Sequence, residues 1–310
     1  MDLKKNSQKD VSYTGWKRWK PTADEWEKLY EDGSVPEYLN LKENEYLIVE
    51  SDGEIAITYC YEHGKLRKFT GQAIKISTSE SSENSVNEKN DKTKKTQKYS
   101  KGKNVNIVPR NIEQSCAVDL LKDRNKTVKL ITGGWGVGKT MLLSTAALEA
   151  LKNGEFEKII WIRNNVDVKD TKDLGALPGE IIDKLLPYLV PFIDHAGENA
   201  VRTMIEKESL VVEPLQSLRG RNFSNAIIMC SEAENLTKEH IQLIIARAAE
   251  GSEVWFDADN RQRDKVVFEK SKGVETMIEK FTGQELFGYV HLIKSERSKT
   301  AAMADLLDDN

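Results

Sequence analysis

Cysteine and histidine are scarce in this chain, and neither is spaced for a metal site. The three cysteines, Cys60, Cys116 and Cys230, are far apart and form no CxxC pair. This spacing disfavours a disulfide framework and a cysteine zinc site, and it fits a reducing cytosol. The four histidines likewise show no ligand spacing, so we expect no metal cage built by the protein alone.

Long apolar runs and an excess of charge are also missing. No run of 18 apolar residues occurs, and the opening residues MDLKKNSQKD lack the apolar stretch of a signal peptide. We therefore expect a cytoplasmic protein that is neither exported nor bound to a membrane. Lysine and arginine total 46 against 50 acidic residues, so a site for nucleic acid would have to be local.

The clearest change in composition lies between residues 77 and 106. This stretch has almost no apolar side chains, so burial cannot offset the entropy of ordering it. A chain of 310 residues is long enough for about two domains. We predict a small domain at 1–76, a disordered linker at 77–106 and a larger domain at 107–310.

The end of this linker is rich in lysine. Residues 89–110 carry eight basic side chains against one acid, Asp91. Such a segment can bind the phosphates of nucleic acid, but a solvated tether has the same composition. Both interpretations remain open.

Three of the six tryptophans lie in the small N-terminal domain. A short helix is expected near 22–30, and Asp52-Gly53 and His63-Gly64 are typical hairpin turns of a small meander. The aromatic side chains can stack on nucleotide bases, although in so small a unit they more often form the core.

From residue 107 onward, short apolar runs alternate with helical stretches. This pattern is typical of a parallel sheet covered by helices on both faces. We therefore predict an α/β fold with a mostly parallel sheet, preceded by a small α+β domain. The predicted strands lie at 128–132, 158–163, 210–212, 226–230, 253–257 and 289–293.

The first of these strands is followed by a phosphate-binding loop. Residues 133–140 read GGWGVGKT and match GxxxxGK[ST], and the helix-forming stretch MLLSTAALEALKN follows. Glycines let backbone N–H groups turn inward around phosphates, and the helix N-terminus adds a favourable partial charge. We predict ATP contacts from Gly133, Gly134, Trp135, Gly136, Val137, Gly138, Lys139, Thr140 and Met141.

Within the loop, two side chains have distinct expected tasks. Lys139 reaches the β and γ phosphates, and the Thr140 hydroxyl is a ligand for Mg²⁺. Most other ligands of the metal would come from the nucleotide and water. Trp135 either shields the phosphates or simply packs, and the sequence does not decide between these roles.

Two other predicted strands end in polar residues that suit ATP hydrolysis. Glu232 follows AIIMC and can accept a proton from the water that attacks the γ phosphate. After EVWFD, Asp259 can support the metal and Gln262 can sense the γ phosphate. A surface acid and a simple acidic turn are the alternative interpretations.

Several ordered blocks from Pro109 to the C-terminus resemble the PhoH-like ATPase family. The likeness spans roughly two thirds of the chain. Its blocks are PRNIEQ at 109–114, LGALPGE at 174–180, PYLVPFID at 187–194, LRGR at 218–221 and SEAEN at 231–235, where the family reads DEAQN.

The resemblance implies a RecA-like P-loop fold, related to the cores of superfamily 1 helicases, that binds and hydrolyses ATP. It implies adenine contacts from Asn111 and Gln114 and a γ-phosphate sensor at Gln262. It also places an arginine finger at Arg297, supplied by the same subunit or a neighbour. Further positive charge near nucleotide or nucleic acid is implied for Arg163, Arg219 and Arg221.

Two positions depart from the family pattern. Ser231 stands where the family has the Walker B aspartate that anchors the magnesium shell, and Glu234 replaces the usual glutamine. A neutral hydroxyl holds a metal less strongly than a carboxylate, although it can still hold a metal-bound water. We expect compensation from Glu234 or Asp259.

We therefore expect Mg²⁺-dependent ATP hydrolysis coupled to single-stranded RNA or DNA, in a homo-oligomer that supplies the face a single RecA-like core lacks. The alternative is a non-catalytic module in which ATP gates contact with nucleic acid or protein. A small-molecule kinase fits less well, because Glu232 and Gln262 suit water activation.

Overall fold

The computed structural model describes most of both predicted domains. Its described residues are 13–69, 73–77, 104–163, 182–183, 185–259 and 272–296. The predicted linker from 78 to 103, the block at 174–180, Gln262 and Arg297 lie outside them.

The N-terminal part contains one helix and a four-stranded sheet. Helix α1, Ala23–Glu31, begins at Thr22, whose side chain accepts from Glu25 N while the Glu25 carboxylate accepts from Thr22 N. The predicted helix at 22–30 is confirmed. The strands, in spatial order, are β1 Trp16–Trp19, β2 Tyr46–Ser51, β3 Glu54–Glu62 and β4 Lys65–Lys68.

Two tight turns join β2 to β3 and β3 to β4. Asp52 and Gly53 have φ of 52° and 83°, and His63 and Gly64 have φ of 50° and 78°. Two consecutive left-handed residues match the right-handed twist of antiparallel strands. Both predicted hairpin turns are confirmed.

The ends of the predicted linker are paired with each other. Strand β5, Ile74–Ser77, runs antiparallel to β6, Asn104–Ile107, with Ile74 opposite Ile107. Ser77 and residues 104–106, which the composition placed in the linker, therefore belong to a two-stranded sheet.

A parallel six-stranded sheet forms the larger part. Its strands are β7 Val128–Gly133, β8 Lys158–Arg163, β9 Leu210–Pro214, β10 Ala226–Cys230, β11 Glu253–Ala258 and β12 Phe287–Leu292. Their spatial order is β12-β7-β11-β10-β8-β9. The helices are α2 Ile112–Lys122, α3 Lys139–Lys152, α4 Val190–Ala196, α5 Glu198–Glu206, α6 Lys238–Ile245 and α7 Gly273–Phe281.

Helices cover both faces of this sheet. Ile131, Trp161 and Trp255 face a core shared with α2 and α3. Their neighbours Leu130, Ile160 and Phe256 face a second core shared with α6 and α7. Alternate residues are thus buried on opposite faces, which explains the continuous apolar runs. The expected α/β fold with a mostly parallel sheet flanked by helices is confirmed.

The N-terminal sheet packs against the larger part. Tyr46 and Phe69 belong to the same buried cluster as α2 and α3. The Asn44 side-chain amide donates to the backbone carbonyls of Gln284, Glu285 and Phe287. Apolar packing and hydrogen bonds therefore connect this sheet to α2 and to the start of β12.

All three cysteines are buried, and none forms a disulfide. Over the described ranges, no helix is both long and apolar enough to cross a membrane.

Candidate nucleotide-binding site

The predicted phosphate-binding loop connects β7 to α3. Gly133, Gly136 and Gly138 adopt φ of 151°, 69° and 96°, a range that side-chain-bearing residues rarely occupy. A Cβ on Gly133 would lie 2.4 Å from the Leu292 carbonyl oxygen, and one on Gly138 would lie 3.3 Å from Gln114 Nε2. The sequence therefore has glycine where this backbone path requires it.

Lys139 folds back over the loop that precedes it. Its Nζ donates to the carbonyl oxygens of Gly133 at 2.7 Å and Gly134 at 2.9 Å. The ammonium thus lies within the turn of the loop, and the backbone N–H groups of a loop of this kind can donate to phosphate oxygens. Thr140 follows on the first turn of α3.

A cavity of about 500 Å³ lies beside the loop. Its lining includes Val108, Arg110, Gln114, Gly136, Gly138, Met141 and Glu296. Apolar surface with a few polar groups suits a nucleotide base. Met141, predicted as a nucleotide contact, therefore lies on the cavity wall.

The two residues expected to contact adenine make protein contacts at this cavity. Gln114 Nε2 donates to the Val137 carbonyl at 2.9 Å, and its Oε1 accepts from Arg110 N at 2.9 Å. Asn111 Oδ1 caps α2 by accepting from Gln114 N, and its Nδ2 donates to Glu296 at 3.0 Å. Gln114 thus connects the segment before α2 to the loop, and Asn111 connects it to the chain beyond β12.

Glu232 lies just beyond β10, at the same edge of the sheet as the loop. Its φ of 58° is left-handed, and its side chain is exposed. Its backbone N–H donates to Asp257 Oδ1 at 3.1 Å. A non-glycine residue in this conformation needs fixed neighbours, and the bond to Asp257 supplies one.

Glu234 and Asp259 lie close to each other at this edge. Glu234 is buried, and its Oε2 accepts from the Asp259 backbone N–H at 2.9 Å. Burial raises the pKa of the Glu234 carboxyl to about 7. The Glu234 side chain therefore braces the chain at the end of β11.

Asp257 is the site residue that sequence reasoning did not assign. It is 2% exposed and receives hydrogen bonds from Ser231 Oγ and Glu232 N. Burial raises the pKa of this carboxyl, while those bonds and the nearby Lys139 charge oppose the rise. The sequence does contain a clue to this residue, because Asp257 is the acid at the end of the apolar run EVWFD.

The remaining expected residues are more scattered. Trp135 is 44% exposed, so it is not part of the core. The Arg163 guanidinium lies 6.0 Å from the centre of the Tyr188 ring, and Arg221 is paired with Glu213. Arg219 is exposed. Among the described residues, none of these three arginines has an observed hydrogen bond to the loop.

The donor set at the loop fits a magnesium ion. The Thr140 hydroxyl and the Asp257 carboxylate are hard oxygen donors, which Mg²⁺ prefers. In the described part of the chain, no group of three or more His, Cys, Asp or Glu side chains is arranged to hold a metal. Phosphate oxygens and water would thus supply most of its ligands.

Comparison with known proteins assigns a family to the larger part of the chain. The family model described as "PhoH-like protein" matches residues 106–308. Protein PhoH2 of Bacillus subtilis (strain 168) is 34% identical over 214 residues, which cover 65% of this chain and 48% of that protein. Protein PhoH of Escherichia coli (strain K12) is 30% identical over 183 residues, covering 57% and 51%.

A third relative comes from another bacterium. Protein PhoH2 of Mycolicibacterium smegmatis is 31% identical over 198 residues, which cover 63% of this chain and 45% of that protein. The chain thus spans about half the length of the curated relatives it matches. The family model covers more than half of the chain, including the loop, β10 and β11, and the chain belongs to the PhoH-like protein family.

Proposed function

We propose that this protein binds ATP at residues 133–140 and hydrolyses it with Mg²⁺. The observation that carries the proposal is the position of Lys139, whose ammonium lies within the turn of the glycine loop. A fixed positive charge beside inward-facing backbone amides is suited to a triphosphate.

The chemical step would use residues from two strands. Lys139 neutralises charge that develops on the γ phosphate, and Glu232 accepts a proton from the attacking water. Glu232 suits this role because its side chain is exposed at the loop edge while its backbone is held by Asp257. Gln262 and Arg297 keep their expected roles as sensor and finger.

A bound magnesium ion would supply positive charge that offsets the negative charge of the phosphates. Thr140 and Asp257 are the side chains that we propose to hold it, directly or through water. Ser231 contributes through its hydrogen bond to Asp257, at 2.9 Å from Oδ1. Asp259 supports this edge of the sheet.

The proposal extends to partners and location. We propose that single-stranded RNA or DNA stimulates hydrolysis and that subunits assemble into a homo-oligomer, with Arg297 available to a neighbouring site. The lysine-rich sequence at 89–110 supports a polyanion partner. Three buried free thiols support a reducing, cytoplasmic setting.

Phosphate release by the wild type and by Glu232→Gln tests the proposal. The wild type should release phosphate with Mg²⁺ and faster with single-stranded RNA or DNA. The variant should release it at least about 100-fold more slowly because the proton acceptor is lost, while it still binds ATP.

The contrary results have distinct meanings. ATP binding by the wild type without phosphate release would favour the alternative, a module in which ATP gates contact with nucleic acid or protein. Equal turnover by the wild type and Glu232→Gln would remove Glu232 from the reaction.

A further inference from the structure

The strand before Glu232 ends without the acid that a magnesium site needs. Ser231 is buried and offers only a neutral hydroxyl. A hydroxyl alone compensates little of a divalent charge. If the proposed function holds, a carboxylate from another element must take this place.

Asp257 lies where such a carboxylate is needed. Its Oδ1 and Oδ2 are 2.9 Å and 3.1 Å from Ser231 Oγ. Thr140, at the start of α3, and Lys139 oppose the burial-driven rise in the pKa of the same carboxyl. Asp257 therefore lies between the start of the phosphate-loop helix and Ser231, which lacks a charge.

The order of strands explains how one carboxylate reaches both sides. β11 lies between β7, which carries the loop, and β10, which carries Ser231. Asp257 is in register with Ile131 of β7, two residues before the loop, and Cys230 of β10 is in register with Phe256. The end of β11 is thus adjacent to the ends of both β7 and β10.

The two other acids at this edge have different partners. Glu234 accepts from the Asp259 backbone N–H, which directs its carboxylate to the end of β11. Asp259 lies two residues beyond Asp257. Neither Glu234 nor Asp259 has an observed side-chain hydrogen bond to Ser231, whereas Asp257 has two.

We infer that Asp257 replaces the missing acid of β10, so that the Ser231–Asp257 pair holds magnesium at the ATP site with the charge on the neighbouring strand. This inference rests on the proposed function. Compensation would then come from β11 itself, and neither Glu234 nor Asp259 would be required for it.

The test measures how strongly Mg²⁺ tightens binding of a fluorescent ATP analogue to the full chain. In the wild type the ratio of the dissociation constants without and with Mg²⁺ should exceed one. Asp257→Asn should lower this ratio about 10-fold or more, because a metal-holding carboxylate is lost. The exchange variant Ser231→Asp/Asp257→Ser should restore it to within about threefold.

A matched control is available on the same strand. Glu253→Gln removes another buried carboxylate, at the opposite end of β11, and should leave the ratio unchanged. An equal fall of the ratio in Asp257→Asn and Glu253→Gln would mean that the effect is structural, and it would overturn the inference. Circular dichroism of each variant checks that the fold is retained.

Two further results would overturn the inference. A ratio that is unchanged in Asp257→Asn but lost in Asp259→Asn or Glu234→Gln would place the acid at one of those two residues. Failure of the exchange variant to recover, with its fold intact, would also exclude the pair. A wild type that binds no ATP under either condition would overturn the proposed function as well.

Discussion

Glycine residues determine the shape of the loop, and Gly133 has the least freedom. Its φ is 151°, and an added Cβ would meet the Leu292 carbonyl oxygen of β12 at 2.4 Å. Backbone atoms of a central sheet cannot move aside easily. Gly133 thus allows β7 to lie against β12 while the chain turns into the loop.

Gly133→Ala should lower the free energy of unfolding by about 2 kcal/mol or more, because strain and overlap act together. Chemical denaturation measures this change. Gly154→Ala is the matched control: its φ of 73° is also unfavourable, but a Cβ there meets nothing within 4 Å. Gly154→Ala should lower the free energy of unfolding by about 1 kcal/mol. Equal losses of stability in the two variants would contradict a role for the contact between the added Cβ and Leu292.

At the scale of residues, sequence reasoning identified one half of the site better than the other. Gly138, Lys139 and Thr140 are consecutive in the sequence, so a single motif was enough to locate the loop. Asp257 instead contacts Ser231 and Glu232, which follow a neighbouring strand. Such a role depends on strand order, which a single sequence without homologues does not supply.

At the scale of elements, apolar runs predicted the central sheet well. The predicted 158–163 and 226–230 match β8 and β10 in full, and β12 begins two residues before its predicted start. Gly288 of β12 is small because a Cβ would lie 2.1 Å from the Leu120 side chain. Gly288 interrupts the apolar pattern of the strand because Leu120 leaves no room for a larger residue, and this contact is not visible in the sequence.

Charged contacts join β3 and β4 to the larger part. Glu62 pairs with Arg67 at 3.0 Å and with Lys126 at 2.7 Å, and Arg67 also pairs with Asp119 of α2 at 2.8 Å. Burial alone would raise the pKa of Glu62. The hydrogen bonds from Arg67 and Lys126 outweigh burial and hold this pKa at about 2.

This shift predicts a stability that depends on pH. Because the folded pKa of about 2 is below the ordinary 4.5, the unfolded chain binds more protons between these values. The contribution of Glu62 to the free energy of unfolding is complete above pH 4.5 and is lost as the pH falls toward 2. Glu62→Gln should lower the free energy of unfolding by about 1 kcal/mol at pH 7. The difference should become smaller as the pH is lowered.

Urea denaturation of the wild type and Glu62→Gln across this pH range measures the difference. Glu198→Gln, which alters an exposed pair with Arg202, should differ little from the wild type at any pH. A constant difference between the wild type and Glu62→Gln from pH 7 to pH 2.5 would refute the ion-pair account.

At the scale of the whole molecule, the N-terminal sheet and the glycine loop both contact β12 or the residues just after it. Trp16 Nε1 donates to the His291 carbonyl at 2.8 Å, near one end of β12. Beyond that strand, Glu296 N donates to Gly136 of the loop at 3.3 Å. A short path of contacts thus joins β1 to the phosphate loop.

Composition predicted a small unit at 1–76 but not this arrangement. Apolar residues such as Tyr46 and Ile74 have the same pattern whether they form their own core or complete another. Their burial against α2 and α3 is a property of long-range packing. Domain boundaries at 76 and 107 remain a proposal, since β5 and β6 pair across the predicted linker.

Calorimetric titration of the full chain with ATP and Mg²⁺ tests the central claim most directly, because it detects binding without turnover. The wild type should bind one ATP per chain, and Lys139→Ala should bind about 10-fold or more weakly, since a charged hydrogen bond to phosphate is lost. Lys152→Ala, at the other end of α3, should bind like the wild type. No heat from the wild type, or equal affinity in Lys139→Ala, would contradict a nucleotide site at the loop.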